Sequence, residues 1–216
     1  MKIIGHRGAK GLAPENTLAA IEAGIQAGVD EIEIDVRVTK DNIPILCHDP
    51  ALDDFVIADQ SFHELRQHKP NLITLEQAVR TINRRVPIDI EVKPNVSTVP
   101  IIALLRQWLH QNWLPTDFKL TSFSFRTLKE LHAALPEIPV VVLESWSGVR
   151  ATHRARKLGT KIVCMNQRFL WRGFIRSMQK SGYELYAYPL NDPDKAARWA
   201  SSGLAGAVTD YPDKLK

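Results

Sequence analysis

Cysteine is scarce in this chain: Cys47 and Cys164 are the only two in 216 residues. Two thiols cannot supply the framework of a disulfide-stapled fold, and no Cys-x-x-Cys pair offers the usual zinc spacing. No apolar run approaches the ~18 residues that a membrane-spanning helix needs, so no stable membrane insertion is expected. Internal repeats, low-complexity tracts and an interdomain linker are also missing. Met1-Lys2-Ile3-Ile4-Gly5 leads straight into structure with no apolar signal region, which predicts a cytoplasmic protein. Charge of one sign is lacking too, with 28 Lys+Arg against 24 Asp+Glu for a net +4. No Lys/Arg cluster stands out, so a nucleic-acid partner is not expected. What remains is an ordinary globular composition, 44% hydrophobic, long enough to form one domain over residues 1–216. A chain of this size buries roughly 70% of its unfolded surface.

Short β-branched runs alternate with helical patterns along the whole chain. The runs fall at Lys2–Gly5, Glu31–Val38, Ile88–Val92, Lys119–Phe123, Val140–Leu143, Lys161–Met165, Glu184–Tyr188 and Gly206–Thr209. Helix signals lie between them. A cap at Asn16 or Thr17 opens a helix that stops before Gly28. Thr74-Leu75-Glu76-Gln77 has capping-box spacing, and Asp192-Pro193 opens a helix closed by Gly203. Strand–helix alternation implies parallel pairing, because a helix is the usual crossover. Eight such units predict an α/β fold of the (β/α)8 TIM-barrel kind, with a doubly wound open sheet as the alternative. The rhythm breaks once. Ile43–His48 reads as an extra strand turned back at Lys40-Asp41-Asn42, and residues 49–73 form a polar, cap-like insertion with one short helix over Ser61–His68.

Two strands carry charge where a helix-covered sheet should be apolar. In Glu31-Ile32-Glu33-Ile34-Asp35-Val36, side chains alternate between faces, so the three carboxylates share one face. That face points either into a barrel or, on an exposed edge strand, into water. Ile88-Asp89-Ile90-Glu91-Val92-Lys93 repeats the pattern. Like charges cannot share a desolvated space without a positive partner. Lys93 is one such partner, as a structural ion pair with Glu91. A hard divalent cation is the other, and all-oxygen ligation by Glu33, Asp35 and Glu91 points to Mg2+, Ca2+ or Mn2+. His6 and Arg7 follow the first strand between Gly5 and Gly8, and His48 ends the extra strand. All are expected at the C-terminal end of the barrel, where such enzymes keep their active sites. The other five histidines are expected at the surface, and Trp146, Phe169 and Trp171 are read as packing residues that could otherwise line a groove.

The motifs His6-Arg7-Gly8-Ala9, Pro14-Glu15-Asn16-Thr17, Glu33-Ile34-Asp35-Val36, His48-Asp49, Glu91-Val92-Lys93 and Thr209-Asp210-Tyr211-Pro212 resemble, in order and spacing, the glycerophosphodiester phosphodiesterase family. The resemblance spans essentially the whole chain. It implies a barrel that uses a divalent metal to hydrolyse a small glycerophosphodiester to sn-glycerol 3-phosphate and an alcohol. It further implies that His6 and His48 are the acid–base pair, that Glu33, Asp35 and Glu91 hold the metal, and that Arg7 and Lys93 contact phosphate. Glu15 then lies in a loop that shapes the pocket. Two segments depart from the family: Tyr188-Pro189-Leu190-Asn191 after the seventh strand, and a short insertion with Asp53-Asp54. The alternatives are a lysophospholipase D on lipid-tailed phosphodiesters and a catalytically silent barrel acting as a binding module.

Overall fold

A computed structural model of the chain describes residues 1–215. Its strands, in chain order, are β1 (Lys2–Gly5), β2 (Glu31–Val38), β3 (Pro44–Leu46), β4 (Ala51–Leu52), β5 (Phe55–Val56), β6 (Ile88–Val92), β7 (Phe118–Ser122), β8 (Val140–Glu144), β9 (Ile162–Asn166), β10 (Glu184–Tyr188) and β11 (Gly206–Thr209). The helices are α1 (Leu18–Gln26), α2 (Phe62–His68), α3 (Leu75–Ile82), α4 (Val99–His110), α5 (Phe125–Ala134), α6 (Gly148–Lys157), α7 (Arg172–Lys180) and α8 (Pro193–Ala200). Eight strands pair in parallel in the order β1-β11-β10-β9-β8-β7-β6-β2. Pairing of Ile4 with Glu31 and Gly5 with Ile32 joins β1 to β2 and closes the ring. The fold is therefore a (β/α)8 barrel rather than an open doubly wound sheet.

Local chemistry places the helices. Thr17, not Asn16, caps α1, its Oγ1 accepting from the Ala20 N–H at 3.2 Å. Thr74 and Gln77 form a reciprocal capping box on α3, and Asp192 caps α8 with Pro193 in the first turn. Ile32, Ile34 and Val36 of β2 and Ile88, Ile90 and Val92 of β6 join the apolar layer between strands and helices. Burying one such side chain contributes roughly 1.5–3 kcal/mol, and this layer fixes which face of each strand turns inward. The carboxylates of both strands consequently face the barrel interior. Opposite them, Ile4, Val141, Leu143, Cys164, Tyr186 and Val208 form an apolar plug.

Several expectations need correction. The insertion is not simply polar: Ile57, Leu65 and Leu72 form a small core with Ile45 of β3 and Cys47 just after it. It also holds the two-stranded ribbon β4–β5, and Ser61 caps α2 rather than lying within it. Trp146, Phe169 and Trp171 do not pack inside but are exposed, and His132 is half-buried rather than at the surface.

The turn after β1 depends on two glycines. A Cβ on Gly5 would lie 2.0 Å from the Gly8 carbonyl oxygen. Gly8 has φ +89°, and a Cβ there would meet the Ala20 backbone at 2.6 Å. Left-handed strain costs a side chain about 1–2 kcal/mol and forced overpacking about 1–3 kcal/mol. Gly8→Ala is thus expected to lower the unfolding free energy by at least about 2 kcal/mol in urea denaturation. An unchanged midpoint would contradict this packing.

Candidate active site

The C-terminal ends of the barrel strands surround a cavity of about 250 Å3, lined by His6, Arg7, Glu33, His48, Glu91 and Lys93 among others. Two residues expected at the site do not line it. Asp35 is buried just beneath, and Glu15 stands outside, both of its carboxylate oxygens 2.8 Å from Arg7 Nη1. Glu33, Asp35 and Glu91 each offer a carboxylate oxygen, and the three oxygens lie within 4.8 Å of one another. The register between β2 and β6 sets this up, pairing Asp35 with Glu91 and Glu33 with Asp89.

Fixed cations offset part of this charge. Lys93 Nζ bridges Asp35 Oδ1 at 2.6 Å and Glu91 Oε1 at 2.5 Å. Arg7 Nε lies 3.1 Å from Asp35 Oδ2 without a hydrogen-bonding angle, while the Arg7 backbone N–H donates to Glu33 Oε2 at 2.8 Å. Arg7 adopts φ +53°, a conformation costly to a side chain and held here by its neighbours. Burial pushes the Glu33 carboxyl well above its usual range, and Asp35 and Glu91 add to the rise. Burial also raises Glu91, against the pull of Lys93. For Asp35 the same penalty is outweighed by Lys93 and Arg7, which hold it below the usual range. Glu33 Oε1 is buried with no partner. A cluster that leaves a buried carboxylate oxygen unpaired, with only hard oxygen donors around it, fits a divalent cation.

The histidines occupy different settings. His6 Nδ1 and Asp210 Oδ1 are 2.5 Å apart. Burial raises the Asp210 carboxyl, but bonds from His6 and Asn191 outweigh it and keep the group ionised. An ionised carboxylate only accepts, so Nδ1 carries the proton and Nε2 keeps its lone pair. Burial lowers the His6 pKa, opposed by Asp210. His48 is more open, its side chain 37% exposed, with Nδ1 2.8 Å from Asp49 Oδ1. The bond to His48 lowers the Asp49 pKa, so the same tautomer argument applies. Arg37 fixes His48 from behind, donating from Nε and Nη2 to its backbone oxygen at 3.0 and 2.8 Å.

Four supporting residues were given no site role by their sequence pattern. Asn16 clamps Asp35, donating to Oδ2 at 2.9 Å and accepting from its N–H at 3.1 Å. Asn191 Nδ2 donates to Asp210 Oδ2 at 2.8 Å. Asp210 and Arg37 hold the two histidines. Of these, Asn16 and Asp210 stand in motifs that carry the family resemblance, which was the available signal. Asp89 and Glu31 share the acidic faces but sit apart from the triad. Asp89, raised to about 7 by burial, accepts from Thr121 Oγ1, and Glu31 binds Lys2 and Lys119. No residue of 49–73 lines the cavity, whose outer wall is Phe123, Leu143, Tyr188 and Pro189.

Paired imidazoles beside cations and carboxylates, at the catalytic end of a barrel, suit hydrolysis of an anionic substrate. The chain belongs to the glycerophosphoryl diester phosphodiesterase family, whose family model matches residues 6–214. It is a phosphoric diester hydrolase. Protein YqiK of Bacillus subtilis, described as uncharacterized, is 54% identical over 236 residues, covering 99% of this chain and 96% of that protein. A glycerophosphodiester phosphodiesterase of the same organism is 27% identical over 250 residues, covering 97% of this chain and 83% of its own. The Oleispira antarctica phosphodiesterase OLEI02445, solved with the product sn-glycerol-3-phosphate, superposes with a TM-score of 0.88 at 28% identity, covering 100% of this chain and 95% of that one.

Because the folded-state pKa of Glu33 lies above its unfolded value, Glu33 costs stability as pH rises past the usual carboxylate range. Glu33→Gln removes that cost. In chelator-treated protein it should raise the melting temperature at pH 8 by about 2–4 °C, the shift expected for about 1 kcal/mol. At pH 4, where Glu33 is already protonated, the difference should vanish. A lower melting temperature for the variant at pH 8 would contradict the assigned like-charge strain.

Proposed function

We propose that this chain hydrolyses small glycerophosphodiesters to sn-glycerol 3-phosphate and an alcohol, with His6 and His48 as acid and base and a divalent metal on Glu33, Asp35 and Glu91. The observation that carries the reading is the unpartnered buried oxygen of Glu33 inside a carboxylate triad, in a cavity that also exposes both histidines. Mg2+, Ca2+ and Mn2+ all suit these donors. A divalent cation bound there supplies electrostatic polarisation of the phosphoryl oxygens.

Each residue of the chain then has a defined task. Arg7 and Lys93 face the cavity and offset charge on the non-bridging oxygens of the phosphodiester. Glu15 acts through Arg7, holding its guanidinium from outside. The two imidazoles divide the proton transfers: one accepts a proton from the attacking water, or from the neighbouring glycerol hydroxyl whose cyclic phosphate water then opens, and the other donates a proton to the departing alcohol oxygen. A P–O bond forms to the attacking oxygen as the P–O bond to the alcohol breaks. Asp210 and Asp49 accept from Nδ1 of each ring, so both proton transfers run through Nε2: the base reacts with its Nε2 lone pair free, and the acid reacts as an imidazolium whose Nε2 carries the donated proton. The whole chain acts as one domain, and residues 49–73 are a trimmed cap that bears on the cavity through the Asp49–His48 pair. The apolar wall of Phe123, Leu143, Tyr188 and Pro189 favours a second reading, a lysophospholipase D for which an acyl tail lies along that wall.

His6→Ala and His48→Ala should each lower kcat by at least ~100-fold, the usual scale of general acid–base catalysis. Near wild-type turnover of either purified variant would remove that residue from the mechanism. Release of glycerol 3-phosphate from a panel of glycerophosphodiesters should cease with EDTA and return with added Mg2+, Ca2+ or Mn2+. Full activity after exhaustive chelation would refute the metal. Faster hydrolysis of acylated glycerophosphocholine than of glycerophosphocholine would favour the second reading.

A further inference from the structure

The modest net charge of +4 conceals a strongly polar distribution. Residues 145–183 contain nine of the chain's 28 Lys+Arg and none of its 24 Asp+Glu, contrary to the expectation that no basic cluster stands out. Among the described residues only Arg150 and Arg154 of those nine form ion pairs, both with Glu144. The same stretch holds the exposed apolar side chains Trp146 (59% exposed), Val149 (81%), Phe169 (47%) and Trp171 (63%).

These side chains sit together on one rim of the barrel mouth. Trp146 and Val149 lie at the β8–α6 junction, and Phe169 and Trp171 at the β9–α7 junction. Phe174 links the two, its ring 5.2 Å from that of Trp171 and 2.6 Å from where a Cβ on Gly148 would stand. Arg150 stacks over Trp146 at 4.5 Å, and exposed Arg168 and Arg172 flank the second junction. The rim continues the cavity wall, because Leu143 lines the cavity three residues before Trp146.

We propose that this rim docks the barrel on an anionic lipid bilayer, with its mouth turned toward the surface. Tryptophan and phenylalanine settle at the boundary between headgroups and acyl chains, and flanking arginines are drawn to anionic headgroups. A largely exposed aliphatic such as Val149 gains from acyl contact but offers no hydrogen bond or stacking surface to a nucleic-acid base. A second copy of the chain is disfavoured, since the same basic rim would face itself. The anchoring is peripheral, consistent with the lack of any helix long and apolar enough to span a membrane among the described residues. It is independent of the catalytic reading, because lipid binding is measured without turnover.

Co-sedimentation with vesicles of phosphatidylglycerol and phosphatidylcholine in equal parts, against phosphatidylcholine alone, tests the docking. Each basic side chain at such a surface is worth roughly fivefold in partitioning. The intact chain should partition at least ~10-fold more strongly to the anionic vesicles at low salt and be released by high salt. Trp146→Ala with Trp171→Ala, and separately Arg168→Glu with Arg172→Glu, should each weaken partitioning at least ~10-fold. Thermal melts confirm that both variants stay folded. Binding equal on both vesicle types, or undiminished in the variants, would overturn the proposal. So would a dimer that only the tryptophan variant dissolves. Binding to single-stranded DNA that follows the same substitutions, without vesicle binding, would assign the rim to nucleic acid instead.

Discussion

The structure turns on the burial of three carboxylates within a few ångströms of one another inside a parallel barrel. Burying an isolated ion is among the costliest steps in folding, and three of like sign demand compensation from every direction. The site is organised around that demand. Lys93 bridges Asp35 and Glu91, Arg7 stands over Asp35, and Asn16 reaches from a left-handed backbone position to hold Asp35 at two points. The Gly5–Gly8 turn brings the Arg7 N–H onto Glu33. Among the carboxylate oxygens of this cluster, Glu33 Oε1 is buried without a hydrogen-bond partner, and Glu33 lines the cavity.

The barrel interior is divided accordingly. Strands β2 and β6 supply charge, while β8 to β11 and β1 supply an apolar plug. Glu31 is neutralised at the opposite end of the barrel by Lys2 and Lys119, and Asp89 is satisfied by Thr121. Charge within reach of a ligand lies along the cavity wall, where Glu33, Asp89, Glu91 and Lys93 face it. The rim belongs to two of these apolar strands, β8 and β9, whose following segments carry tryptophan and arginine and no acid.

Much of this was legible in the sequence, and the reason is periodicity. Strand alternation puts Glu33 and Asp35 on one face whatever the rest of the chain does. The repetition of that pattern around Glu91 meant two acidic faces sharing one enclosed space. Eight strand–helix units gave the barrel. Partnerships between distant residues follow no such period: His6 meets Asp210 across 204 positions and Asn16 meets Asp35 across 19. The small core of the insertion was hidden because Ile57, Leu65 and Leu72 are irregularly spaced and pack on β3. The basic rim was obscured by averaging, since acids elsewhere cancel it in the total. Trp146 and Trp171 looked like packing residues because bulky aromatics usually are.

Calorimetric titration of Mn2+ into the chelator-treated protein tests the central claim most directly, that the buried carboxylates exist to hold a cation. One binding site per chain is predicted for the unaltered protein and none for Glu33→Gln combined with Glu91→Gln, with the variant folded. Binding of equal stoichiometry and affinity in that variant, or no binding to the unaltered protein, would contradict the account.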